Sequence, residues 1–241
     1  MNKIFFKLSR YAGMLCLLLL ACTSCDKDDV SMPVIESVWS NMSTIPIHQM
    51  ECVYPGQTIS LRGSGLSGAN AVIVNGTEID LTGMTGTHAY NTDRSIIVRL
   101  PVNVATMWDN GETSLKVKVG RNEAVYEPFY VKNTSEKPQL SSGLAGTGFS
   151  SIVLVPGSTL TITGKNLSGA TEVYLPLAFD GKIKCEFDPA QVNTDESLHV
   201  IVPESDKFAQ GRAEIVMTKS CYLDGAEYVE RLYSGIINFS N

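Results

Sequence analysis

The chain has 241 residues, a formal net charge of −6 and only 18% charged residues. That length accommodates two domains with cores of their own, and the negative balance excludes the basic field of a nucleic-acid binder. Sparse charge with plentiful Gly, Ser and Thr suits an all-β extracytoplasmic protein and not a disordered one.

The N-terminus reads as a targeting segment. Lys3, Lys7 and Arg10 precede an apolar run over 14–21 that is too short to span a bilayer. Leu19-Leu20-Ala21-Cys22 follows, then Cys25-Asp26-Lys27-Asp28-Asp29. The first stretch resembles the lipobox of bacterial lipoproteins, which implies lipidation of Cys22 as the new N-terminus. Cys25 is the alternative, because the acidic run after it resembles the surface-export signal of Bacteroidetes lipoproteins. Residues 1–21 are thus expected to be a lipoprotein signal peptide and 22–32 an acidic linker.

From residue 33 the pattern is of short strands and turns. After a strand over 32–39 comes Pro55-Gly56, an alternating strand with Ile59 and Leu61 on one face, then Gly63 and Leu66-Ser67-Gly68-Ala69. Residues 71–74 and 77–81 flank Asn75-Gly76, a signal for a type I′ hairpin. Asn91-Thr92-Asp93-Arg94-Ser95 opens a strand ending at Pro101, and strands over 114–119 and 125–131 complete the unit, with Leu115, Val117 and Val119 on one face. Residues 132–138 have linker composition. The order then repeats: Pro156-Gly157, Leu160 and Ile162 alternating, Gly164, Leu167-Ser168-Gly169-Ala170, then Asn193-Thr194-Asp195-Glu196-Ser197 leading to Pro203. The second copy enlarges its hairpin over 174–182 and lengthens the last one around 220–229. About seven strands per unit and no sustained helical period predict two tandem immunoglobulin-like β-sandwiches, 33–132 and 137–240.

The shared succession of Pro-Gly, alternating strand, Gly-x-x-Leu, Asn-Thr-Asp-x-Ser and an apolar strand ending in Pro resembles the IPT/TIG family, which implies early-set immunoglobulin-like folds of cell-surface proteins. With the lipobox and acidic signal, the whole resembles surface glycan-binding lipoproteins of Bacteroidetes polysaccharide-uptake systems. The resemblance implies a lipid anchor in the outer membrane facing the exterior, a polysaccharide ligand, and an outer-membrane transporter or other surface protein as partner. Such proteins often carry the sugar site on a further C-terminal domain, and these 241 residues end after the second unit.

No motif carries catalysis, a metal or a cofactor. Gly63-Ser64-Gly65 lacks the context of a nucleophile elbow or phosphate loop. His48, His88 and His199 are isolated, and the carboxylates are spread over turns and strand faces. Cys185 and Cys221 lie in one unit and are a candidate disulfide, though spacing cannot establish proximity. The remaining candidates are aromatic, because sugar rings stack on aromatic faces while polar neighbours hold the hydroxyls. Trp108 stands in a loop beside Asp109 and Asn110, at the position Phe208 occupies in the second copy, which also suits a structural corner. Trp39, Tyr90, and the pair Tyr174 and Phe179 on the enlarged hairpin are the others. The expected role is a non-catalytic glycan-binding or spacer protein. A structural or adhesive module engaging a protein partner through strand edges is the alternative.

Overall fold

The structure, a computed structural model, describes residues 32–41, 47–83, 90–141, 144, 151–221, 223 and 225–240. Cys22 and Cys25 lie outside the described residues. The first half carries β1 (Val34–Ser40), β2 (Cys52–Val53), β3 (Thr58–Ser64), β4 (Ala69–Val74), β5 (Thr77–Asp80), β6 (Tyr90–Asn91) and β7 (Ser95–Arg99). A one-turn helix, α1 (Met107–Asn110), precedes β8 (Leu115–Val119), β9 (Asn122–Tyr126) and β10 (Tyr130–Val131). One sheet has the order β1-β3-β7-β6 and the other β5-β4-β8-β9. Their inward residues, Val38, Ile59, Leu61, Ile96 and Val98 against Val72, Val74, Leu115 and Val117, form one buried cluster. This is a β-sandwich, and its alternating strands bury the faces that the period-2 pattern predicts.

The second half carries β11 (Gln139–Leu140), β12 (Ser151–Val153), β13 (Thr159–Lys165), β14 (Ala170–Pro176) and β15 (Lys182–Phe187). It continues with β16 (Ser197–Ile201), β17 (Gln210–Gly211), β18 (Glu214–Ser220), β19 (Glu227–Tyr233) and β20 (Ile237–Ser240). Here β15 pairs with β14 through Val173↔Cys185 to Pro176↔Lys182, then with β16 through Glu186↔Ile201 and Phe187↔Val200. It therefore crosses from one sheet to the other and joins them in the order β11-β13-β16-β15-β14-β18-β19, with β12-β20-β17 alongside. A separate core of Leu154, Ile162, Val173, Leu175, Val200, Ile215 and Phe239 fills this sandwich.

The repeated motif has a physical explanation. In the first copy the Thr92 hydroxyl accepts from the Ser95 N–H at 3.0 Å, closing a turn. The carbonyls of Asp93 and Arg94 then accept from Leu66 and Gly63 at 3.0 and 3.1 Å. In the second, Thr194 accepts from Ser197 at 3.1 Å, and Asp195 and Glu196 from Leu167 and Gly164, both at 2.9 Å. The Asn-Thr-Asp-x-Ser turn thus ties the end of β3 or β13 to the start of its neighbour. The glycine of each copy is required by strand approach: a Cβ at Gly63 would lie 1.9 Å from the Val34 carbonyl oxygen, and one at Gly164 2.2 Å from that of Gln139.

Three features depart from the sequence reading. The loop around Trp108 contains α1, whose first turn is closed by the Asp109 carboxylate accepting from the N–H and hydroxyl of Thr106 at 2.7 and 2.8 Å. The strand expected over 125–131 is split into β9 and β10 around the cis peptide Glu127–Pro128. Cys185 and Cys221 are free thiols and form no disulfide: Cys185 sits in the second core, whereas Cys221 belongs to a different cluster with Cys52, Met107, Tyr130 and Tyr228.

That last cluster marks where the two halves meet. Lys132 Nζ stands 3.8 Å from Glu230 Oε2, both side chains 7% exposed, and the Tyr54 hydroxyl donates to Glu230 Oε1. Lys132 also faces the Tyr228 ring, 5.4 Å from its centroid. The Val229 N–H of β19 donates to Glu51 Oε2 at 2.7 Å. The linker itself is held from both sides. Trp108 Nε1 donates to Glu136 Oε2 at 2.7 Å, and Asn166 Nδ2 donates to the Ser135 and Lys137 carbonyls at 2.8 and 3.0 Å.

Candidate ligand groove

The meeting of the halves leaves a groove of about 890 Å³ between them. Its first wall is built by β1 and the segment after it. Along β1, Val38 and Ser40 turn inward and Trp39 turns outward, as strand alternation dictates. The half-buried indole is fixed by its Nε1 donating to Ser37 Oγ at 2.8 Å and by the Arg62 guanidinium 4.2 Å from the ring centroid. Arg62 does not line the groove, so it covers one part of the indole while another faces the opening. Buried Ser40 anchors His48, whose N–H donates to Ser40 Oγ at 2.9 Å, and the imidazole meets Tyr233 of the other wall with centroids 5.4 Å apart.

The second wall comes from β14, β15, β18 and β19. Glu214, buried at the start of β18, accepts from Lys182 Nζ at 2.8 Å, from Arg231 Nη1, and from the Tyr233 hydroxyl at 3.3 Å. Burial pushes its pKa up, but the hydrogen bonds from Lys182 and Arg231 outweigh burial and hold the carboxyl below its usual value. Burial, with Glu214 beside it, pushes the Tyr233 phenol up to about 12, so it remains a neutral donor. Lys182 lies 4.4 Å from the Tyr174 centroid, and the Tyr174 hydroxyl donates to Glu172 at 2.9 Å. A carboxylate kept ionised by two cations cannot lend a proton at neutral pH. What the groove offers is aromatic surface beside donors and acceptors already set in position.

The sequence candidates do not converge. Trp39 lines the groove, and so does Tyr174. Trp108 is 45% exposed but borders a smaller hollow of about 360 Å³ with Glu136, Asn166, Asp195 and Lys219. Its neighbours serve the local fold: Asp109 closes α1, and Asn110 Nδ2 donates to the Asn75 carbonyl at 2.9 Å. Tyr90 is in β6, at the edge of its sheet opposite β1. His48, Glu214, Arg231 and Tyr233 carried no distinguishing sequence signal; the one trace is a carboxylate, Glu214, heading the buried run Ile215, Val216, Met217. No helix among the described residues is long and apolar enough to cross a membrane, and they include no cluster of metal-ligating side chains.

No protein-family model and no curated protein matches the chain. Among solved structures it is similar to the Bacteroides ovatus mixed-linkage glucan utilization locus protein SGBP-B, in complex with a mixed-linkage heptasaccharide. Identity there is 15% and TM-score 0.31, over 86% of this chain and 45% of that one. The surface glycan-binding protein PbSGBP-B from Prevotella bryantii is 14% identical at TM-score 0.34, over 84% and 41%. Tandem immunoglobulin domains of titin are 12% identical at TM-score 0.26, over 87% and 98%. The chain spans less than half the length of the two bacterial proteins, and likeness at this level does not extend to what it binds.

Proposed function

We propose that this chain is a non-catalytic glycan-binding lipoprotein, and that the groove between its two sandwiches takes the polysaccharide. Its organisation is a signal peptide over 1–21, an acidic linker over 22–32, and two IPT/TIG-like domains over 33–132 and 137–240. The acylated Cys22 or Cys25 holds it in the outer membrane, where several acyl chains together give stable anchoring. In that setting it works within a Bacteroidetes polysaccharide-uptake system, beside an outer-membrane transporter or another surface protein.

The observation that carries the reading is Trp39, an indole fixed on one side by Arg62 and Ser37 and turned to a groove that also holds Tyr174 and Tyr233. Sugars offer apolar C–H faces to such rings and hydroxyls to neighbouring polar groups. Affinity gel electrophoresis of the mature protein against plant, fungal and host polysaccharides tests it. Retardation by at least one glycan is expected, lost in Trp39→Ala and kept in Trp108→Ala, with both variants folded by circular dichroism. Retardation that survives Trp39→Ala would place the ligand elsewhere, and none with any glycan would favour the structural or adhesive reading.

A further inference from the structure

We propose that Phe179 is a ligand-stacking residue at the rim of the groove; the proposal rests on the groove being the glycan site. The two halves supply an internal comparison. The β4–β5 hairpin turns on Asn75 and Gly76, with φ of +45° and +77°, the residue types that tolerate the left-handed region. The β14–β15 hairpin turns on Phe179 and Asp180, with φ of +60° and +57°. A bulky aromatic is disfavoured there, because its Cβ crowds the following carbonyl oxygen.

No packing compensates for this choice. The Phe179 side chain is fully exposed, at 101% of its reference area. A residue that breaks a local backbone rule and gains no contact in the fold is a candidate for function outside the fold.

The position fits. Leu177, Asp180, Gly181 and Lys182 line the groove whereas Phe179 does not, so the turn forms part of the rim and the Phe179 ring projects from its tip into solvent. The turn is also fixed in place: the Leu177 N–H donates to the Gly181 carbonyl and the Ala178 N–H to the Lys207 carbonyl, both at 2.8 Å. Leu177 further bridges to Phe208, which packs on the second core. The ring is therefore presented from a braced hairpin. It supplies an uncharged stacking face for a pyranose ring of a chain that extends past Trp39 and Tyr174.

The test combines calorimetric titration and thermal unfolding of the full mature protein, using a polysaccharide that the unmodified protein binds. Phe179→Asn, which places a left-handed-tolerant residue in the turn, is expected to raise Tm by about 2–4 °C and to weaken binding about tenfold. Phe179→Trp is expected to keep the affinity. Unchanged affinity in Phe179→Asn, while Trp39→Ala abolishes binding, overturns this proposal and leaves the groove reading standing. Equal losses in Phe179→Asn and Phe179→Trp overturn it too, since the turn and not the ring would then be responsible. Absence of binding by the unmodified protein defeats the groove reading and this proposal with it.

Discussion

Glu214 and Glu230 sit on the paired strands β18 and β19 and are both buried, yet their surroundings act in opposite directions. At Glu214 the hydrogen bonds from Lys182 and Arg231 outweigh burial, and the carboxyl is held below its usual value of 4.5. At Glu230 burial outweighs the Tyr54 hydrogen bond and the Lys132 charge, and the carboxyl is raised above it. The linkage signs follow. Glu214 contributes stability that is fully present above the unfolded value and is lost as pH falls through the depressed folded one. Glu230 favours the folded state most below 4.5, and that contribution is lost as pH rises through the elevated folded value. Glu214→Gln is therefore expected to cost about 1–2 kcal/mol at pH 7, since Lys182 and Arg231 are partly exposed, with the deficit shrinking toward pH 3. Glu230→Gln is expected to gain ground on the unmodified protein between pH 4 and pH 8. Melting temperatures across that range check both, and equal slopes for the two variants would contradict the assignment.

At the level of elements, β3 and β13 were legible because Ile59, Leu61, Leu160 and Ile162 keep period 2 and a Pro-Gly turn precedes each strand. The two-residue strands β2 and β17 were not, because a pair of residues has no period, and β10 was read only as the end of one strand over 125–131. Nor was α1, whose four residues owe their turn to Asp109 reaching back to Thr106 and not to any helical pattern. The glycines of the repeat were visible as letters, but their reason, the approach of β1 to β3 and of β11 to β13, needed the structure. Gly63→Ala and Gly164→Ala are each expected to cost about 2–4 kcal/mol. The larger loss belongs to Gly63, where seven-residue strands must part, against the two-residue β11 at Gly164. Gly83→Ala, whose added methyl would find Asp80 at an ordinary 3.7 Å, serves as the near-neutral comparison in urea unfolding.

Over the molecule, the two sandwiches were legible from the internal repeat, whereas the groove was not. Its residues come from 39–51, 174–182, 210–214 and 229–233, and nothing in their local sequence says that these segments meet. Only Trp39 and the enlarged hairpin stood out, as an aromatic ending a strand and as an insertion relative to the first copy. The linker composition over 132–138 marked a boundary and said nothing of how it is held; Trp108 and Asn166 tie it down while Lys132 and Glu230 are buried together. Both tryptophans belong to the first half, so their fluorescence follows that sandwich, while circular dichroism follows both. The two probes are expected to give coincident unfolding curves in the unmodified protein. They should separate in Lys132→Ala, which leaves Glu230 buried without its cation.

The same buried seam sets a reciprocity for whatever enters the groove. One wall belongs to each sandwich, so a ligand touching both binds the docked arrangement and not the parted one, and it stabilises the docking by the same factor that docking strengthens it. Substitutions at Tyr54, Lys132 or Glu230, none of which lines the groove, would therefore weaken a ligand's hold there in proportion to the fraction of molecules whose seam they open.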